Sequence, residues 1–131
     1  MGYRYPVPAM QQRSARILVV EDELLLAELT ADVVTSLGYA VAGIARNLAE
    51  ARDELGKQNY DAALVDISLD GYRSLEIADV LLERGTPFAF VTAYEEVDAP
   101  RHAQVPLLRK PFGYEQLDVL LKALVGDAPS A

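Results

Sequence analysis

The stretch RILVVEDE, residues 16–23, decides the fold because it joins a short apolar run directly to three consecutive acids. An apolar run of this length, rich in branched residues, is typical of a strand buried in a parallel sheet. The residues that follow are mostly apolar, and four of them recur at helical spacing: Leu25, Leu29, Val33 and Leu37. The stretch therefore predicts a strand, an acidic turn and a helix that ends near Gly38, since glycine suits a helix C-terminus.

The rest of the chain repeats this alternation of strands and helices. Four more short apolar runs read as strands: YAVAGIA (39–45), DAALVD (61–66), PFAFVT (87–92) and VPLLR (105–109). Three more segments read as helices: 47–57, which opens with a capping-box pattern, SLEIADVLLERG (74–85) and YEQLDVLLKALVG (114–126). Five strands alternating with helices predict an α/β fold with a mainly parallel sheet.

The segment before the last strand does not follow this pattern. Residues 94–104 are polar and contain Pro100, which a helix interior does not tolerate, so we predict one or two turns and a mobile region. His102, the only histidine, is predicted to lie at the surface. Residues 1–14 and 127–131 are predicted to be tails on either side of one domain at 15–126.

Composition narrows the class of function. The 131 residues include 20 acids, 12 bases and no cysteine, which gives a net charge of −8. The negative charge argues against binding to nucleic acid, and the lack of cysteine excludes disulfides and thiolate chemistry. No apolar run approaches the ~18 residues of a membrane span, and the N-terminus lacks the apolar core of a signal peptide. We expect a cytoplasmic protein that binds neither nucleic acid nor membrane.

Polar residues follow the predicted strands at one edge of the sheet. Glu21 and Asp22 follow the first strand, Asp66 ends the third, Thr92 ends the fourth and Lys110 follows the fifth. Ligands of open parallel sheets bind beyond the carboxyl ends of the strands. We therefore expect these five side chains to converge, although they are distant in sequence.

Such a group of side chains suits phosphoryl transfer with a hard cation. Carboxylates about 4 Å apart repel each other by roughly 4 kcal/mol at an effective dielectric of about 20, which one lysine cannot offset. Mg²⁺ can, because it prefers oxygen ligands and uses only one or two carboxylates. A remaining carboxylate can attack phosphorus, while Lys110 neutralises the phosphoryl oxygens and Thr92 donates a hydrogen bond to one of them.

Four motifs in order resemble the receiver domain of two-component response regulators: ILVVEDE (17–23), ALVDISL (63–69), FVTAY (90–94) and LRKPF (108–112). The resemblance covers residues 15–126, nearly the whole chain outside the tails. It implies a flavodoxin-like, doubly wound fold. The sheet of this fold has five parallel strands in the order 2-1-3-4-5, with helices on both faces.

The resemblance also implies a magnesium site. Glu21 and Asp22 match the acidic pair that holds Mg²⁺, with Asp22 as the direct ligand. Asp66 matches a further ligand, and Ser68 matches the position whose backbone carbonyl completes the coordination. The implied cofactor is therefore Mg²⁺.

The same resemblance assigns the phosphoryl chemistry. Asp66 matches the phospho-acceptor, and Thr92 and Lys110 match the hydroxyl and the lysine that bind the phosphoryl group. The bond from Lys110 to Pro111 resembles one that is commonly cis in the family. Members take the phosphoryl group from a sensor histidine kinase and later hydrolyse it, so they act as signalling domains that catalyse their own phosphorylation and dephosphorylation.

The sequence departs from the family pattern at Leu107, where most members carry Tyr or Phe three positions before the lysine as a rotamer switch. Tyr94 is a hypothetical substitute for that aromatic ring. PFAFVTAY (87–94) also partly resembles a Phe-Ala-Thr-Gly-apolar-Tyr subgroup of receivers without an output domain. Phe90 and Thr92 fit that pattern, whereas three residues do not: Val91, Ala93 and Glu95. The subgroup implies a partner kinase of the HWE or HisKA2 type.

These observations favour a single-domain response regulator that accepts a phosphoryl group on Asp66 and signals to a downstream protein through protein–protein contacts. Two alternatives stay open: a phosphorylation-independent interaction module, which Leu107 favours, and a phosphate sink or relay shuttle. Each residue also has a plainer interpretation when taken alone. Asp22 and Glu23 can cap a helix, Asp66 can end a strand at a turn, and Lys110 can be a solvated lysine.

Overall fold

The computed structural model describes residues 14–69, 74–93 and 102–126. Within these ranges the chain forms five strands: β1 (Arg16–Val20), β2 (Ala40–Ala45), β3 (Ala62–Asp66), β4 (Phe88–Thr92) and β5 (Leu107–Arg109). It also forms four helices: α1 (Leu24–Ser36), α2 (Leu48–Lys57), α3 (Ser74–Glu83) and α4 (Tyr114–Val125). The predicted turns after β4 lie mostly outside the described residues, as does Tyr94.

The strands form one parallel sheet in the order β2-β1-β3-β4-β5. This confirms the predicted α/β class, the flavodoxin-like topology and the strand order. In the centre of the sheet Val20 pairs with Val65, and Asp66 pairs with Val91. The carboxyl ends of β1, β3 and β4 therefore meet at one edge, where a ligand site is expected.

Apolar side chains cover both faces of the sheet, because alternate strand residues point to opposite faces. One face packs Leu18, Val65 and Phe90 against α2 and α3. The other face packs Ile17 and Leu64 against residues of α1 and α4: Val34, Leu117 and Leu121. The sheet is therefore doubly wound, and its central strands are apolar except at their ends. None of the described helices is long and apolar enough to cross a bilayer.

The buried face of α1 coincides only in part with the four residues that recur at helical spacing, since Val33 and Leu37 pack against the core. Leu25 and Leu29 are 65% and 52% exposed, and the helix instead buries Ala27, Thr30 and Val34. Small residues on the buried face allow the helix axis to lie close to the sheet. Spacing alone could not separate the two faces, since leucines occupy one and smaller residues the other.

The position of His102 also contradicts the prediction. Its side chain is buried rather than at the surface, with only 7% of the residue exposed. The imidazole packs edge to face against Phe90, with ring centroids 5.7 Å apart. A polar sequence around this histidine gave no sign of that contact, because the contact depends on β4 and α3 meeting the segment in space.

Candidate functional site

Three acids meet at the carboxyl edge of β1 and β3. Glu21 follows β1, its backbone N–H donates to Ala45 O at 2.9 Å, and its side chain is buried. Asp66 is the last residue of β3 and is only 1% exposed, whereas Asp22 is open to solvent. Carboxylate oxygens of Glu21, Asp22 and Asp66 lie within 4.8 Å of one another. Among the described residues they form a group that could hold a metal ion.

Lys110 brings a positive charge to these acids from β5. Its Nζ lies 2.9 Å from Glu21 Oε1 and 3.4 Å from Asp66 Oδ2. The backbone N–H of Lys110 donates to Thr92 O at 2.7 Å, which fixes the end of β5 against the end of β4. The Lys110–Pro111 bond is cis, as the resemblance implied.

Ser68 holds the Asp66 carboxylate in place. Its backbone N–H and its hydroxyl both donate to Asp66 Oδ1, at 3.0 and 2.9 Å. The bond from residue i+2 to an aspartate is an Asx-turn, which short polar residues after a strand favour. The sequence had assigned only the Ser68 carbonyl, so the contact of its hydroxyl with Asp66 was missed. The spacing Asp-x-Ser was the available signal.

Thr92 ends β4, the strand that pairs with β3. Val91, the residue before it, pairs with Asp66, and Thr92 itself is 1% exposed. Thr92 therefore lies one residue beyond Asp66 on the neighbouring strand, at the same edge of the sheet. The backbone register accounts for this position, because the two strands end together.

The capping interpretation of the acids does not hold for Glu23. This residue occupies the N-cap position of α1, but its side chain makes no capping hydrogen bond. Its backbone N–H instead donates to Glu21 Oε2 at 3.2 Å. The loop therefore serves to orient the Glu21 carboxylate rather than to cap α1.

The two buried acids of the site have pKa values shifted in opposite directions. Burial raises the pKa of the Glu21 carboxyl from 4.5 to about 7, Asp66 adds to this rise, and the Lys110 ammonium opposes it. Burial alone would also raise the pKa of Asp66, but hydrogen bonds with Glu21 and Ser68 hold that pKa below its usual range. The charge of Lys110 lowers it further. Glu21 therefore takes up a proton first as the pH falls, and Asp66 stays a carboxylate.

Lys110 keeps its charge in this environment. Burial alone would lower its pKa, but the contacts with Glu21 and Asp66 raise it above the usual value. Two buried acids, an exposed acid and one lysine leave an excess of negative charge at neutral pH. The three acids offer carboxylate oxygens as possible ligands, and Mg²⁺ prefers oxygen ligands of this kind. The residues present therefore fit a divalent ion.

We expect Glu21→Gln to stabilise the metal-free protein above neutral pH. Folding raises the pKa of Glu21 from 4.5 to about 7. Ionisation of Glu21 therefore does not lower the free energy of unfolding below pH 4.5, and lowers it progressively as the pH rises from 4.5 to about 7. The neutral Gln avoids this cost, which is at most about 3.5 kcal/mol, since one pKa unit corresponds to about 1.4 kcal/mol. Urea unfolding in EDTA at pH 8 and at pH 4.5 measures the difference.

The expected gain at pH 8 shrinks at pH 4.5, because Glu21 is then protonated in the folded protein. Glu28→Gln on the exposed surface of α1 serves as the control and should change stability by less than about 0.5 kcal/mol at either pH. Equal stability of Glu21→Gln and wild type at pH 8 would show that the buried charge carries no cost.

Comparison with known proteins agrees with this geometry. The family model for the response regulator receiver domain matches residues 17–122. The receiver domain of PhyR from Erythrobacter litoralis is 29% identical, with a TM-score of 0.77 and coverage of 94% of this chain and 98% of that one. SdrG from Sphingomonas melonis Fr1 is 33% identical, with a TM-score of 0.74 and coverage of 86% and 98%.

A curated protein, the Phyllosphere-induced regulator PhyR of Methylorubrum extorquens, is 35% identical over 104 residues, which are 76% of this chain and 39% of that protein. This chain spans between 39% and 56% of the length of the curated regulators it matches. The family match includes every residue of the site, from Glu21 to Lys110. The chain therefore belongs to the response regulator receiver domain family.

Proposed function

We propose that this receiver domain accepts a phosphoryl group on Asp66 from a sensor histidine kinase, in a reaction that requires Mg²⁺, and signals through protein–protein contacts. The observation that carries the proposal is the state of Asp66. It is a buried carboxylate, with Lys110 Nζ 3.4 Å from one oxygen and Ser68 fixing the other. The partial likeness to the Phe-Ala-Thr-Gly-apolar-Tyr subgroup supports a kinase of the HWE or HisKA2 type.

The residues of the site divide the work of this transfer. A carboxylate oxygen of Asp66 forms the new bond to phosphorus, while the bond from phosphorus to the donor nitrogen or oxygen breaks and its electron pair leaves with the donor. Lys110 neutralises the charge on the phosphoryl oxygens, and the Thr92 hydroxyl donates a hydrogen bond to one of them.

Glu21, Asp22 and Asp66 would hold Mg²⁺ together with the carbonyl of Ser68. When bound, the ion neutralises charge on the transferring phosphoryl group and offsets the repulsion among the acids. Asp22 is the acid exposed to solvent, which suits it for direct ligation, whereas Glu21 is buried and already contacts Lys110. This division between the two acids agrees with the assignment of Asp22 as the direct ligand.

Incubation with acetyl phosphate tests the proposal without a kinase. We expect wild type to gain the mass of one phosphoryl group in the presence of Mg²⁺ and none in EDTA. Asp53→Asn is a matched control, since it also removes one carboxylate but from the exposed surface of α2. It should be phosphorylated as wild type is. No mass gain in wild type with Mg²⁺ would contradict phosphoryl acceptance.

The hydroxyl of Ser68 should have a smaller effect. Ser68→Ala removes one of the two hydrogen bonds to Asp66 Oδ1 and leaves the backbone bond in place. We expect a loss of about 0.5–1.5 kcal/mol in the free energy of unfolding, as for one hydrogen bond. Phosphorylation by acetyl phosphate should still reach completion, with a rate within about tenfold of wild type. A complete loss of phosphorylation would show that the hydroxyl has a direct part in the transfer.

One observation favours a phosphorylation-independent interaction module as a second candidate. Leu107 carries no ring to rotate, and its side chain already lies partly exposed on β5. The two candidates differ in how partner binding responds to acetyl phosphate, because only a phosphorylation-dependent regulator changes its affinity. A lifetime of the phosphorylated form of only seconds would instead favour a phosphate sink or relay shuttle.

A further inference from the structure

His102 is held by a side chain of α3 as well as by the core. Its Nε2 lies 2.8 Å from Asp79 Oδ1, while its ring packs on Phe90 of β4. Its Nδ1 is buried and makes no hydrogen bond to any residue described. A buried ring nitrogen without a partner costs free energy, so packing alone would favour an apolar residue at this place. The contact with Asp79 is therefore the feature that accounts for a histidine here.

The helix that carries Asp79 is tied to the acceptor loop. Ser74 begins α3, is fully buried, and donates its hydroxyl to Ile67 O at 2.8 Å. Ile67 directly follows Asp66 and donates its own N–H to Val91 O at 3.1 Å. The N-terminus of α3 is therefore fixed to the residue that follows the acceptor.

The strand β5 is held at both ends. At its carboxyl end Lys110 contacts the acceptor Asp66 directly. Before its amino end, the turn from His102 to Val105 closes with a bond from Val105 N–H to His102 O at 3.0 Å. The imidazole of that turn reaches α3 through Asp79.

From these contacts we propose that the Asp79–His102 pair is a latch between α3 and the turn before β5. The pair couples a displacement of Lys110, transmitted along β5, to the position of α3. It thereby takes the role of the aromatic switch residue, which is absent because position 107 is Leu107. Phosphorylation of Asp66 gives Lys110 a new anionic partner, which changes the electrostatic force on the carboxyl end of β5. Because the Asp79–His102 pair joins α3 to the turn before β5, α3 shifts with that strand. This role rests on the proposed function, because it concerns the response to phosphorylation of the same site.

Hydrogen exchange of the unphosphorylated protein tests whether the latch exists. We expect His102→Phe, which keeps a ring against Phe90, to speed exchange in the peptide 102–108 by about tenfold, as for the loss of about 1.4 kcal/mol. Asp79 makes a further interaction, so Asp79→Ala is compared with the double variant. The double variant should exchange no faster than the faster single variant. Asp79→Asn keeps an acceptor for Nε2–H and should resemble wild type.

Glu83→Ala removes another exposed acid from α3 and should leave exchange in 102–108 unchanged. Wild-type exchange in both His102→Phe and Asp79→Ala would overturn the latch, whatever the result with acetyl phosphate. If His102→Phe does not fold, the comparison of Asp79→Ala with Asp79→Asn decides the same point, because Asp79 is one-third exposed.

A second arm adds acetyl phosphate and Mg²⁺. In wild type we expect phosphorylation to change the hydrogen-exchange rates in both 102–108 and α3. In Asp79→Ala we expect the change in α3 to fall by more than half, while the protein still gains the mass of one phosphoryl group. An undiminished change in α3 of Asp79→Ala would overturn the transmitting role. If wild type gains no phosphoryl group, the proposed function fails, and with it this transmitting role. The first arm alone then decides whether the latch exists.

Discussion

Replacing Asp66 by Asn is expected to abolish phosphorylation by acetyl phosphate while the fold stays intact. The amide of Asn is not a nucleophile towards phosphorus, and no other described carboxylate combines the burial of Asp66 with contacts to Lys110 and Ser68. The amide oxygen can still accept the Ser68 bonds, so the local turn should persist. Intact-mass measurement with Mg²⁺ should show no gain in this variant when wild type gains one phosphoryl group.

Asp66→Asn should also change stability in a defined direction. The substitution removes one charge from a cluster with an excess of carboxylates, which lowers the repulsion on Glu21. Folding also lowers the pKa of Asp66, however, so its charge contributes stability at pH 8 that the neutral Asn loses. We therefore expect the metal-free variant to be less stable than wild type at pH 8, and Mg²⁺ to stabilise it less than wild type. Phosphorylation of Asp66→Asn at wild-type yield would instead place the acceptor elsewhere, and peptide mapping would show whether Asp22 carries the group.

The sequence predicted the fold well because strand and helix patterns dominate it. β1 and β3 are apolar, lie in the centre of the sheet and were assigned within a residue of their observed bounds. The last helix was predicted over 114–126 and is observed over Tyr114–Val125. The buried face of α1 was not predictable, because both of its faces contain apolar residues, and only the contact with the sheet decides between Leu25 and Ala27.

The candidate site was less fully predictable than the fold. Parallel strands bring their carboxyl ends to one edge, so the meeting of Glu21, Asp66 and Lys110 followed from topology alone. The contact of Lys110 with Glu21, which is shorter than its contact with Asp66, did not follow, because side-chain direction depends on packing. The burial of His102 was missed for the same reason. Long-range packing contacts leave no periodic trace in the sequence.

Lys110→Met should be the most destabilising single substitution at the site. Lys110 Nζ is the cation that offsets the buried carboxylates of Glu21 and Asp66, at 2.9 and 3.4 Å. Removing one partner of a buried ion pair typically costs about 3–5 kcal/mol, because the other charge is left uncompensated. We expect a loss in this range at pH 8 without metal, measured by urea unfolding. The loss should shrink towards pH 5, because Glu21, whose pKa is already raised to about 7, then takes up a proton.

Two further variants separate this charge effect from a loss of packing. Lys122→Met removes an exposed lysine from α4, which forms an ion pair with Asp118 one helical turn away, and should cost less than about 1 kcal/mol. The double variant Glu21→Gln and Lys110→Met should recover most of the stability lost at pH 8, because it removes one charge of each sign. Saturating Mg²⁺ should also restore part of the stability of Lys110→Met, since a bound cation replaces the missing one. If neither Mg²⁺ nor Glu21→Gln restores stability, Lys110 acts mainly through the packing of its alkyl chain rather than through its charge.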